Sequence, residues 1–419
     1  MTAVRPTTPA PTTSAAVPAV APVPVRRRRG ATPRSVRRLR RLQTTAVALL
    51  LAFGALVVTA LAVSFNASSQ AAESLAQYHR LANARIQALS VQQAANTWAL
   101  TPTDAVRTDV TEQLTSLATT LADASAVETD RDRIVPLTGA LVHYSMTLQD
   151  ALNAKGTASA ALLARADTQL SDELLTPLTA ARTAAGDRLA GELTAGWLPW
   201  VIGGLVVTAG GLIAISVALA RASHRYLNPG VALALLCAVA SVAVLATSST
   251  AASNAATDFT ESARAELDSV ATLQQQLHQA RADEVLAVGL QTAGASYQTR
   301  WTTAYNTALE TIPRLPNATT STTSALKAYK TSHDQVTNAT DKAQWATAAG
   351  LVTDASAKAF DKIDGALSTI YANLRSPVTS GIKSVGDGIV AGIAGVIVFT
   401  LAGAGLAFWG VSRRIEEYR

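Results

Sequence analysis

The sequence predicts an all-α membrane protein. Its four transmembrane helices and two large helical bundles are arranged as a tandem parallel repeat. Three observations predict this. Four stretches, near Thr44–Phe65, Trp197–Ala220, Pro229–Thr247 and Gly388–Val411, contain no Asp, Glu, Lys, Arg or His. Each has the length of about 20 apolar residues that a bilayer core demands of a helix. The spans fall in two pairs, and each pair brackets a polar segment of similar length. Neither polar segment alternates as a strand does, and both carry apolar residues at spacings of three and four.

The resulting division is a leader 1–43, spans 44–65, 197–220, 229–248 and 388–411, polar segments 66–196 and 249–387, a link 221–228 and a tail 412–419. Charge is segregated along it. The leader carries ten Arg and no acidic residue, whereas 66–196 carries nine basic and 14 acidic residues and 249–386 carries 11 and 12. The net charge of +6 therefore does not describe a nucleic-acid-binding surface, and no nucleic-acid partner is expected. Basic residues cluster where short segments meet the spans: Arg37, Arg38, Arg40 and Arg41, then Arg221 and Arg225, then Arg413, Arg414 and Arg419. By the positive-inside rule the termini and link are cytoplasmic in a bacterial cell membrane, and both polar segments are outside. The first apolar run exceeds a signal-peptide core, so an uncleaved anchor is expected.

Taken in order, residues 1–33 are rich in Pro, Ala and Thr around the run Arg26–Arg29, a composition that builds no packed core. The first polar segment reads as four helices. One runs from Gln70 to Leu100 with Leu75, Tyr78, Leu81, Ile86, Leu89 and Trp98 on its stripe. A second follows the break at Pro102, over Asp104–Ala124. A third runs from near Asp130 to Asn153, and a fourth from Ala158 to Gly191 despite Pro177. The second segment repeats the plan over Ala251–Leu290, Tyr297–Thr311, Thr322–Thr337 and Asp341–Arg375, the last interrupted near Gly350. Gln93, Ala94 and Leu100 match Gln279, Ala280 and Leu286 at an offset of 186, as an internal duplication would. Entry and exit on one side make the repeat parallel rather than inverted. The single Cys237 lies in the third span, so packing alone holds both outer domains.

Few residues carry recognisable chemistry. His79, His143, His224, His278 and His333 show no metal-ligand spacing, and no nucleophile elbow, phosphate loop or zinc-protease motif occurs. No catalytic residue, metal or cofactor is expected, and the chain is read as a non-enzyme. Arg281, Asp283 and Glu284 read as a solvated charged face. The uncharged spans argue against a pump. Their small residues point to close helix packing, at Gly388 and Gly392 as a G-x-x-x-G pair and at Gly203 and Gly204.

Paired spans under a helical bundle are the layout of bacterial sensor modules, and here no large cytoplasmic output domain accompanies them. The basic Pro-rich leader, the two paired-span modules and the tail Trp409 to Arg419 resemble the actinobacterial four-span GlnX-type membrane proteins. That family links an external amino-acid-binding lipoprotein (GlnH) to the soluble Ser/Thr kinase PknG. The resemblance implies a signal transducer for external Asp or Glu, with a solute-binding lipoprotein docking on the outer bundles. A cytoplasmic Ser/Thr kinase would meet Arg221, Arg225, Arg413 and Arg414. Two other readings stay open: a structural scaffold or accessory subunit of an envelope or transport complex, and direct small-molecule sensing by the outer bundles with convergent Arg. A twofold homodimer is compatible with the layout, and the ligand-contacting residues are not legible.

Overall fold

A computed structural model describes residues 34–192, 198–223, 228–291 and 294–416. The described residues form helices and turns with no strand among them. The elements are α1 (Arg34–Leu100), α2 (Asp104–Ser125), α3 (Arg131–Asn153), α4 (Thr157–Gln169), α5 (Thr176–Glu192), α6 (Leu198–Ser223), α7 (Pro229–Asp258), α8 (Arg264–Leu290), α9 (Gly294–Thr311), α10 (Thr320–Asp341), α11 (Trp345–Leu351) and α12 (Ala357–Glu416). Four helical stretches are long and apolar enough to cross a membrane: Arg37–Leu100, Pro199–Arg221, Pro229–Leu290 and Trp345–Arg413. The protein thus has the fold of an all-α, multi-pass membrane protein.

The spans do not end where their apolar runs end. The 67 residues of α1 carry the first span straight on into the polar region, a rod of about 100 Å at the α-helical rise. No Pro occurs between Arg34 and Leu100 to stop it. Likewise α7 continues into α8, and α11 into α12, each through one wide turn. These π turns lie at Phe259–Ala263 and Val352–Ser356, and a third joins α4 to α5 at Leu170–Leu175. The break expected near Gly350 is this π turn rather than an interruption. The π turn before α5 also accommodates Pro177. The Thr176 amide reaches back to Ser171 O, so the ladder is already widened where the proline ring would clash.

Capping fixes the short joints. Thr103 is extended and its side chain accepts from the Val106 amide, starting α2. Asn228 does the same for α7 through the Gly230 amide, with Pro229 at the first helical position. Gly156 begins the turn into α4 at φ 57°, a left-handed value that glycine adopts without strain.

Two cores result. Leu50, Phe53, Val57 and Leu61 of α1 meet Val201 and Leu212 of α6, Val231 and Leu245 of α7, and Ile389 and Val396 of α12. Around them Val206, Val207, Leu236, Val398 and Leu401 turn outward and are exposed, as lipid-facing side chains do, with Trp200 and Trp409 near span ends where aromatic residues sit at bilayer interfaces. The second core lies in the polar region. It runs without a break from Ala71, Tyr78 and Leu89 through Leu117, Tyr144 and Leu178 to Phe259, Leu277, Tyr329 and Phe360. The two polar segments, separate in the sequence reading, thus share one core, because α1 packs along α8 as well as along α2 and α5.

Candidate functional site

Arg281, Asp283 and Glu284 sit near the end of α8, far from the spans. They are not a solvated face: all three are buried. Their helix is covered by α1, α4, α9 and α12, which the local sequence does not reveal. Arg281 donates through Nη1 to Glu284 Oε2 at 2.5 Å and to Ser356 Oγ at 3.1 Å, and through Nη2 to Val352 O at 2.6 Å. Ser356 donates to Glu284 Oε2 at 2.8 Å, and His333 Nδ1 lies 2.8 Å from Glu284 Oε1. The network therefore ties α8 to α10 and to both ends of the π turn that opens α12. Burial pushes the Glu284 carboxyl up. The His333 hydrogen bond, the Arg281 charge and the Ser356 hydroxyl outweigh it and hold the group below its ordinary value. Asp283 faces the other way and takes a two-pronged contact from Arg300, at 2.7 and 2.6 Å. Burial still leaves its carboxyl raised.

Beside this network is a cavity of about 330 Å³ lined by Glu284, Tyr297, Trp301, His333, Thr337 and Trp345 among others. Its walls are set by aromatic stacking. The His333 ring lies 3.5 Å from Trp301, centroid to centroid and 5° from parallel, while Trp301 Nε1 donates to Tyr329 Oη at 3.1 Å. His333 Nε2 is 2.9 Å from Gln298 Oε1, so both ring nitrogens are engaged. The corresponding end of the first segment also has a cavity, of about 450 Å³, between Trp98, Pro102, Arg107, Lys155 and Ser159. There Arg107 stands over the Trp98 ring at 5.1 Å and donates to Leu152 O.

Polar contacts also run along the seam between the two segments. Tyr78 donates to Asp268 at 2.6 Å, and Arg182 donates to the same Tyr78 oxygen at 2.6 Å and pairs with Asp268. Arg264 pairs with Asp187 at 2.8 Å. Asn96 donates to Ala282 O at 3.0 Å and accepts from Gln92, whose own oxygen accepts from Tyr144. Burial pushes the Tyr78 hydroxyl well up. Nearby, His79 Nδ1 contacts Tyr371 Oη at 2.8 Å while its Nε2 is buried without a hydrogen-bond partner. Burial first, then the charges of Arg375 and Arg182, hold His79 down to about 3. Of the five histidines, His79, His278 and His333 are buried, and His224 lies outside the described residues.

At the opposite, basic end, four helices gather. Gln43 of α1 donates to Phe408 O at 3.1 Å and to Ser412 Oγ at 2.7 Å of α12. Asn228 donates to Gly410 O at 3.1 Å. Arg221 and Arg413 are exposed there. Arg225, the Arg414 side chain and residues 1–33 lie outside what the structure describes.

The glycines need one correction. Among the described residues a Cβ on Gly388 or Gly203 would meet nothing within 4 Å, so neither lies at a helix–helix contact there. Gly392 is close-packed, its added Cβ 3.2 Å from Val244 Cγ1, and Gly204 abuts Leu56. A close approach of two backbones falls where composition does not single it out, at Gly230 against Gly410. An added Cβ at Gly230 would lie 2.6 Å from Gly410 Cα. Spacing marks small residues, but which neighbour approaches them is a tertiary matter.

No group of three or more His, Cys, Asp or Glu side chains among the described residues could hold a metal ion. No family model, no curated protein and no solved structure matches the chain.

Proposed function

We propose that this chain is a non-enzymatic transmembrane signal transducer. In this reading the polar region is a pair of sensor-like helical bundles on the outer face, built as a tandem parallel repeat. The termini and the link 221–228 are cytoplasmic. One observation carries the proposal. Three helical paths, α1, α7 with α8, and α11 with α12, pass from the polar tip through the spans without a loop. A shift or rotation at the tip has no flexible joint in which to dissipate, and packed helix interfaces tend to respond by moving between discrete arrangements. The buried network of Arg281, Glu284, His333 and Ser356 couples two of these paths at the tip. In line with the family resemblance, the input is an amino-acid-loaded solute-binding lipoprotein, with Asp or Glu as the solute. The output is a cytoplasmic Ser/Thr kinase meeting the basic end at Arg221, Arg225, Arg413 and Arg414. An input can shift the equilibrium only by its differential affinity for the two states.

Crosslinking in native membranes, followed by affinity capture and mass spectrometry, tests this. Recovery of a solute-binding lipoprotein together with a Ser/Thr kinase supports it, and Arg221→Glu with Arg413→Glu should then deplete the kinase alone. Recovery of envelope or transporter components only favours a scaffold or accessory subunit instead. A second reading, direct sensing of a small molecule, is favoured by the cavity beside Trp301 and His333. The same capture experiment, repeated across the two segments separately crosslinked, also reports whether a twofold dimer forms.

A further inference from the structure

We infer that the cavity between α8, α9, α10 and α11 binds a small organic cation: a single ammonium group on a compact apolar or aromatic body. The inference rests on the direct-sensing reading. Binding to the purified protein tests it separately from any relay to a kinase.

A volume of about 330 Å³ suits a small metabolite. The walls combine aromatic side chains (Tyr297, Trp301, Trp345), aliphatic ones (Ala287, Val288, Val336) and the hydroxyls of Thr337 and Thr340. Trp301 is fixed in place by its stack on His333 and its hydrogen bond to Tyr329. The wall is thus largely formed before any ligand arrives, which lowers the ordering cost of binding.

Sign comes next. Helix ends do not decide it. The C-terminal turns of α8 and α10 reach the cavity through Gln291 and Asp341, and the first turns of α9 and α11 reach it through Tyr297 and Trp345, so opposite dipole ends offset one another. Side chains decide. The lining holds two carboxyls, Glu284 and Asp341, and no Lys or Arg. Glu284 is already paired with Arg281 and in hydrogen-bond contact with His333. Asp341 is exposed at the rim, with no ion-pair partner within 4 Å among the described residues. An entering carboxylate finds no cation and one uncompensated anion. An entering ammonium finds Asp341 and the faces of Trp345 and Tyr297, which attract cations through the ring quadrupole. One face of Tyr297 already holds Arg300 at 4.7 Å, leaving Trp345 as the principal open ring. The first segment's cavity has the reverse character, with Arg107 and Lys155 and no carboxyl in its lining. Free Asp or Glu is therefore excluded from this site by charge, whatever a docking lipoprotein carries.

The test uses the full chain in lipid nanodiscs, with phenethylammonium and choline as probes and phenylacetate and glutamate as their anionic counterparts. Binding is read by isothermal titration and by quenching of tryptophan fluorescence. The expected result is saturable binding of at least one ammonium probe and none of either anion. Asp341→Asn should weaken it roughly fivefold, as one exposed ion pair does. Trp345→Ala should weaken it roughly tenfold through the lost ring face. Asp341 is exposed and Trp345 half-buried, so the thermal transition of each variant is recorded alongside to separate lost binding from lost fold. Thr337→Leu, which narrows the cavity, should abolish binding. Saturable binding of phenylacetate or glutamate in place of the ammonium probes overturns the inference. So does ammonium binding that is indifferent to Asp341→Asn and Trp345→Ala, or no saturable binding of either ammonium probe.

Discussion

Asn96 donates a hydrogen bond to the carbonyl of Ala282 at 3.0 Å, and the two residues stand 186 positions apart. That separation equals the offset at which Gln93, Ala94 and Leu100 match Gln279, Ala280 and Leu286. The contact thus joins α1 to α8 at corresponding heights, in the middle of a shared core. Asn96→Ala should destabilise the polar region by about 1–2 kcal/mol, because Gln92 also loses one of its two acceptors and keeps only Leu163 O. Chemical denaturation followed by circular dichroism measures this. A change no larger than that of an exposed Asn substitution would show that the seam is held by apolar packing alone.

The Glu284 network makes a sharper case. Glu284→Gln keeps the shape but strips the counter-charge from buried Arg281, and should cost about 3–5 kcal/mol. Adding Arg281→Met should recover most of that loss, since an uncharged pair of similar volume leaves no buried ion unmatched. The two variants are compared in one denaturation series. If the double variant is as unstable as the single one, the charge balance described here is not what holds α8 to the π turn.

Acid sensitivity follows from His79. Its folded-state pKa is held down to about 3, below the ordinary value near 6.5. The unfolded chain therefore binds a proton that the folded one refuses. The associated stability is fully present above about pH 6.5 and is lost as pH falls toward 3, by about 1.4 kcal/mol per unit. Tyr371, Arg375 and Arg182 are the groups acting on the ring. Denaturation midpoints between those limits should fall with pH in the native chain and fall less in His79→Gln. A ring titrating near 6.5 by nuclear magnetic resonance would contradict the burial argument.

Span packing separates glycines that matter from glycines that do not. Gly410→Ala would place a methyl 2.7 Å from Asn228 Oδ1 and 2.8 Å from Gly230 Cα, and should destabilise the basic end by about 1–3 kcal/mol. Gly388→Ala and Gly203→Ala, with open space before them, should stay within about 0.5 kcal/mol. Unfolding in mixed detergent micelles ranks the three. Equal effects would place the close contact elsewhere.

The sequence by itself determined the four membrane-length helices, the helical class of both polar segments and the break at Pro102. These depend on local properties: apolar run length, three-and-four spacing and residues that cannot continue a helix. The tertiary structure decided that Arg281, Asp283 and Glu284 are buried, that Gly230 meets Gly410 while Gly388 meets nothing, and that the two segments share one core. It also decided that Trp301, His333 and Trp345 border one cavity. Each of these turns on which helix faces which, a choice made by packing over the whole chain. A residue's own neighbours in sequence carry almost no record of that choice, because a polar face exposed on an isolated helix and one covered by a partner helix are spelled with the same residues.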